Sequence, residues 1–194
     1  MSQTSAASLL GELTGGVDER AEAAARALAR FGPEILPALQ ELLHRPDPEL
    51  RWWATRALAE VDDPQVVSLL VRSLQDPDAL VRQCAALALR QQPFLQAIPD
   101  LVQALGDADR FLAHLAADAL ITTGEAAVPA LLEIMRHGHQ AARLEAVRAL
   151  AGIGDPRAIP ALFDALDEDS ALMEYWAGEG LERMGVGMTF FMPG

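Results

Sequence analysis

Apolar residues along this chain recur with a long period. Ala-Leu pairs stand at Ala27-Leu28, Ala57-Leu58, Ala88-Leu89, Ala119-Leu120 and Ala149-Leu150, with Gly180-Leu181 as a degenerate sixth. Successive leucines are 30 or 31 residues apart, and four residues before each stands an alanine: Ala24, Ala54, Ala85, Ala116, Ala146 and Ala177. Positions i and i−4 share one face of a helix, so the spacing predicts a helix, A, whose buried face is small enough for another helix to come close.

A second series runs between these pairs. Pro37, Pro99, Pro129 and Pro160 keep the same period, with Ser68 in the vacant slot. Apolar residues fall one before each slot (Leu36, Val67, Ile98, Val128, Ile159), two after (Leu39, Leu70, Leu101, Leu131, Leu162) and six after (Leu43, Leu74, Leu105, Met135, Leu166). The third position after it is apolar in four of five: Val71, Val102, Leu132 and Phe163, against Gln40. This is the i, i+3, i+4, i+7 stripe of an amphipathic helix, and proline is tolerated in its first turn. Each repeat therefore reads as helix A followed by helix B. Pairs are expected at about 18–45, 48–75, 78–105, 109–137 and 140–166, after a short helix near 5–13 and before a last A helix at about 169–184. Turn residues separate them, and aspartates such as Asp47, Asp78 and Asp109 suit the N-cap of the next helix.

The run Gly154-Asp155-Pro156-Arg157-Ala158-Ile159-Pro160-Ala161-Leu162 resembles the HEAT-like repeats of the phycobilisome-lyase type, within the HEAT and armadillo superfamily. Val81-Arg82, Ala85-Ala86 and Ala88-Leu89 carry the same resemblance, which extends over about 18–184. One such pair cannot bury both of its faces, but stacked pairs can. The fold class expected is all-α: a right-handed α-solenoid of about five HEAT-like helix pairs plus a terminal helix, with B helices lining a concave face. A single domain over 1–194 is expected, with 1–16 as an N-terminal capping helix and 185–194 as a C-terminal capping tail. The apolar tail segment Phe190-Phe191-Met192 is expected to cover the unpaired last A helix, with docking of a partner or a second copy as the alternative.

Composition narrows the chemistry. All 15 basic residues are arginines, against 28 acids, for a net charge of −13, and there is no lysine or asparagine. Schiff-base and phosphate-loop lysines are thereby excluded. The acidity argues against nucleic acid and anionic membranes as partners; the basic groove of HEAT-like alkylpurine glycosylases has little counterpart beyond Arg72 and Arg157. Cys84 is the single cysteine, so neither an internal disulfide nor a cysteine zinc cage can form. With no signal peptide and no apolar run near the roughly 20 residues of a membrane span, a cytoplasmic protein is expected.

The candidate partner-binding residues are the outward row of helix B, Glu41, Arg72, Gln103, Glu133 and Asp164, and the aromatic Trp52 on helix A. An ordinary solvated face would also give a row of mixed sign. Trp52 precedes Arg56 by four residues, which suits a cation–π pair. Arg51, Arg82 and Arg143 each stand seven before a signature leucine and could pair with turn aspartates such as Asp47 and Asp78 in a structural ladder. His114 and Asp118 lie four apart and would make a metal site only if His139 folded back, so no metal is expected. The di-iron deoxyhypusine hydroxylases use His-Glu pairs, which this chain lacks. No catalytic residue and no cofactor is predicted. The function expected is a non-enzymatic scaffold that binds a protein or peptide on its concave face. The alternative is a bilin-lyase-like or metal-dependent hydroxylase-like enzyme, or a subunit of one.

Overall fold

Every predicted helix forms in the computed structural model, which describes residues 5–186. Among the described residues there is no strand. The helices are α1 (Ala6–Leu13), α2 (Asp18–Leu28), α3 (Leu36–Leu42), α4 (Pro48–Leu58), α5 (Val66–Ser73), α6 (Ala79–Gln91), α7 (Ile98–Ala104), α8 (Arg110–Thr123), α9 (Val128–His137), α10 (Gln140–Ile153), α11 (Ile159–Leu166) and α12 (Ala171–Arg183). The even-numbered helices are the A helices. The signature leucines and the alanines four before them are all buried. Asp47, Asp78 and Asp109 accept backbone N–H groups at the starts of α4, α6 and α8, as their positions in the turns led one to expect. Pro37, Pro99, Pro129 and Pro160 each sit in the first turn of a B helix. The apolar tail segment Phe190-Phe191-Met192 lies outside the described residues.

The packing phase differs from the order in which the sequence presents the pairs. Each B helix packs most closely against the A helix that follows it, giving the hairpins α3–α4, α5–α6, α7–α8, α9–α10 and α11–α12, and α1 packs in the same way on α2. The reason lies in the connections. The turn from B to A is short, whereas the path from A to B runs through a 3-10 turn in most repeats, such as Ala29–Ile35 or Gly124–Ala127. The first buried residue at the start of each B helix also lies one position earlier than the spacing predicts. The residue two before the proline slot (Ile35, Val66, Ala97, Ala127, Ala158) is buried in all five repeats, while Val67, Ile98 and Ile159 one residue on are half-buried.

The chain divides into two compact units, 1–92 and 93–194, at the connector between α6 and α7. In the first, α4 packs between α2 and α6; in the second, α10 packs between α8 and α12. The stretch Arg110–His137 is apolar enough to cross a membrane by composition, with an 18-residue window of mean hydropathy 1.4, which run lengths alone did not suggest. It is two helices rather than one. Gly124 adopts φ 75°, a left-handed conformation that glycine takes without a Cβ clash, and turns the chain from α8 into α9.

The degenerate sixth signature has a steric cause. A Cβ on Gly180 would lie 2.8 Å from the Cβ of Ala151 and 3.1 Å from a methyl of Leu162. The final A helix comes so near α10 that alanine, which suffices in every other repeat, does not fit.

The arginine ladder exists, with different acids from those expected. The Arg51 guanidinium is buried and meets Asp76 in a fork, Nε at 2.8 Å and Nη2 at 2.9 Å. Its Nη1 donates to the carbonyls of Arg45 and Pro46 in the preceding turn. Arg82 repeats the carbonyl contacts on Asp76 and Pro77, and Arg143 pairs with Glu168. Asp47 and Asp78 are occupied in capping, so the acid that answers Arg51 or Arg143 stands 25 residues after it. Burial works against the Asp76 carboxylate, but hydrogen bonds from Arg51 and from the Asp78 amide outweigh it and hold its pKa below the ordinary value.

Two stability measurements follow. Gly180→Ala, although alanine favours helix by about 1 kcal/mol, should lower the unfolding free energy by about 1–3 kcal/mol through overpacking; a urea midpoint that stays or rises would show that α12 has room. Asp76→Asn should cost about 3 kcal/mol at neutral pH, because it leaves a buried arginine without its counter-charge. The folded-state pKa of Asp76 lies below the unfolded one, so its contribution is complete above the unfolded value and drains as pH falls through the folded one. The gap between wild type and Asp76→Asn should therefore close as pH drops below about 4; a gap independent of pH would contradict the pairing.

Candidate functional site

Three clefts gather the side chains that could meet a ligand. The largest, about 910 Å³, lies in the first unit where the opening turns of α2, α4 and α6 come side by side. Its lining includes Asp18, Glu19, Glu22 and Glu49 with the indoles of Trp52 and Trp53. Each repeat contributes residues from the same helical register, nine or six before its signature leucine. Trp53 is buried and Trp52 half-buried, with ring centroids 4.7 Å apart at 87°. Leu80, also in the lining, is 62 % exposed. Arg56 does not serve Trp52 as a cation: it is held between Glu22 and Glu60, each at 2.5 Å. Carboxylates therefore surround an apolar floor, and no cation lines this cleft. In the second unit Tyr175 and Trp176 reproduce the edge-to-face aromatic pair at 5.0 Å, with Tyr175 58 % exposed.

The other two clefts lie beside B helices, around the ladder arginines Arg51 and Arg143. One, of about 450 Å³ in the first unit, is lined by His44, Arg45, Arg51, Arg72 and Asp76 among others. The second, of about 410 Å³ in the second unit, is lined by Leu132, Met135, Arg143, Arg157, Asp164 and Glu168 among others. Of the outward row, Glu41, Arg72, Gln103, Glu133 and Asp164 are all exposed, but only Arg72 and Asp164 line a cleft among these three. Glu133 pairs with Arg136. Sequence reasoning missed Asp18, Glu19, Glu49 and Leu80 beside Trp52, and His44 and Arg45 beside Arg72. Comparing the first turns of all A helices in one register would have found the first group.

The remaining reactive groups are committed elsewhere. Asp118 accepts a hydrogen bond from Arg148 at 2.8 Å, Arg148 also bonds Glu145, and His139 accepts the Ala142 amide as the N-cap of α10. Among the described residues no group of three His, Cys, Asp or Glu is placed to hold a metal ion. Burial, partly offset by the charge of Arg56, pushes the Cys84 thiol up to about 12, so the thiolate needed for nucleophilic chemistry is scarce at neutral pH.

The sequence pattern described as HEAT repeats matches residues 8–90 and 98–182. Over 57 residues the chain is 47 % identical to a protein named phycocyanobilin lyase subunit beta from Pseudanabaena tenuis, a stretch that is 29 % of this chain and 20 % of that protein. Over 58 residues, 30 % of this chain and 28 % of the other, it is 45 % identical to a phycobilisome maturation protein from Synechococcus elongatus. The matched stretches thus cover only about a fifth to a quarter of these relatives' length. Among solved structures, an engineered protein superposes with a TM-score of 0.54 at 25 % identity, covering 94 % of this chain and 97 % of its own. The complex of CpcE and CpcF of phycocyanin lyase from Nostoc sp. PCC7120 gives 0.55 at 21 % identity, covering 95 % of this chain and 79 % of that one, a likeness of fold. The expectations of a non-enzymatic scaffold and of a protein that is no enzyme are corrected by these findings, because the sequence relatives are named as lyase subunits and a maturation factor. Repeat architecture without a catalytic triad or metal cluster had suggested a bare scaffold, but a subunit can serve a reaction by binding alone.

The acidity around Trp52 has an optical consequence. The fluorescence lost in Trp52→Phe, taken as a difference spectrum, should be quenched severalfold more strongly by caesium than by iodide, because carboxylates concentrate cations locally. Equal quenching by the two ions would show that the charges do not reach the indole.

Proposed function

This chain belongs to the HEAT-repeat family, and from that premise we propose that it is a bilin-lyase-type subunit, serving a reaction between a linear tetrapyrrole and the protein that carries it. The likeness at 47 % identity to a phycocyanobilin lyase subunit carries this reading. Its 57 residues amount to nearly two of the repeat periods. The geometry is compatible with a subunit that binds and orients. Its clefts of about 410 to 910 Å³ fall in the range of small-molecule sites, roughly 300–1,000 Å³. The row Glu41, Arg72, Gln103, Glu133 and Asp164, together with Trp52, supplies the side chains proposed to meet the two substrates. Tryptophan, tyrosine and arginine are enriched among the residues that dominate binding contacts.

The test is a transfer assay with apo-phycocyanin and phycocyanobilin, run with and without a second lyase subunit. Adding the chain should change the yield of bilin that stays attached after denaturation, and Trp52→Ala should reduce that change severalfold. A yield indifferent to the chain in both arms would overturn the proposal.

A further inference from the structure

The cleft around Arg51 holds a departure from the charge pattern of the ladder. Eight residues after the proline slot, the repeats place the acid that answers a ladder arginine: Asp76 for Arg51, Glu168 for Arg143. In the first repeat the ladder arginine is replaced by Ala21, and the answering position holds Arg45 instead of an acid. A cation therefore stands where a structural pair has been dissolved. Arg45 lines the same cleft as Arg72 and His44. Neither Arg45 nor Arg72 makes a side-chain hydrogen bond or ion pair with the described residues, whereas Arg26, Arg56, Arg136, Arg148 and Arg157 are each held by a carboxylate. Arg20 and Arg110 likewise make none, but Arg45 and Arg72 are brought to one cleft of about 450 Å³.

The cleft's single carboxylate cannot neutralise them. Asp76 is already bound in a fork by Arg51, and that pairing keeps it ionised through the whole neutral range. Arg51 in turn spends four of its N–H donors on Asp76 and on the carbonyls of Arg45 and Pro46. The pair is neutral overall, so the charge left in the cleft is that of Arg45 and Arg72. The carbonyl ends of α3 and α5 each favour nearby cations: His44 Nδ1 lies 2.6 Å from the Gln40 carbonyl at the end of α3, Arg45 follows it, and Arg72 stands in the last turn of α5. What the helix ends do not supply is a counter-charge for the two guanidinium groups that the cleft brings together.

We infer that this cleft is a carboxylate-binding site, with Arg45 and Arg72 as the two forks that receive the anion. A planar guanidinium presents paired N–H donors that match a carboxylate in two parallel hydrogen bonds. This inference deepens the proposed bilin reading and rests on it for the identity of the ligand. A linear tetrapyrrole carries two propionate arms, which the arginines hold, while its conjugated rings extend past a cleft too small to enclose them. The carboxylate-lined cleft at Trp52 would repel the same arms, so the two clefts of the first unit are not interchangeable.

Absorbance titration with phycocyanobilin and with its dimethyl ester, and calorimetric titration with glutarate, test this on the full chain and on Arg45→Ala/Arg72→Ala. Both substituted positions are exposed and unpaired, so the helical circular dichroism should be unchanged. Expected are phycocyanobilin binding weakened about tenfold or more in the double variant, and an ester that binds wild type no better than the acid binds the variant. Phycocyanobilin binding that ignores both esterification and the double substitution would overturn the cleft while leaving the bilin reading intact. Glutarate binding that the double substitution abolishes, without phycocyanobilin binding, would support the carboxylate site and remove the bilin as its ligand. Binding of neither probe would overturn the inference.

Discussion

How near one A helix may come to the next is the constraint on which the rest of each unit depends. Alanine four residues before the signature leucine removes side-chain bulk at the contact, and the leucine fills the space that remains. Interiors packed this tightly tolerate almost no added volume. At α12 even the alanine that directly precedes the leucine in the other repeats is too large, and Gly180 stands there. The B helices, of seven to ten residues, are too short to be stable alone. They persist because a row of A helices offers each of them an apolar surface to lie on.

Charge is arranged around that row. Aspartates spend much of the acid excess on helix caps, and the buried forks of Arg51 with Asp76 fasten one turn to the next. A second set of contacts links A helices directly: Arg56 reaches back to Glu22, Arg148 to Asp118, and Arg183 to the Ala151 carbonyl. What is left over is polarised. In the first unit one cleft keeps only carboxylates, and another is dominated by arginine.

Much of the fold was legible in the sequence because the stacking residues repeat and because proline and aspartate mark helix starts by known backbone chemistry. Less legible was which neighbour each B helix would choose, since chain order shows succession and not contact. The stripe of helix B was read correctly at Leu39, Leu70, Leu101, Leu131 and Leu162, but its first buried residue lies one position earlier than expected, at Ile35, Val66, Ala97, Ala127 and Ala158. Trp52 stood out by its residue type, but Asp18, Glu49 and Leu80 did not, because a cleft made from residues about 30 apart has no local signature. Of the outward row, Arg72 and Asp164 line two of the three clefts described. The resemblance to repeats of the phycobilisome-lyase type was legible in residues 154–162 and 81–89, but those residues also make the repeat stack and so did not by themselves point to a reaction.

The hairpin phase bears on how such a chain could lengthen or shorten. Because the tight contact joins a B helix to the A helix after it, the smallest cassette that carries its own packed interface begins in the connector before a B helix and ends in the connector after the following A helix. Residues 62–92 form one such cassette. A duplication cut at the start of an A helix would part every copy from the helix it leans on, whereas one cut at the connectors would carry a finished interface into each new position.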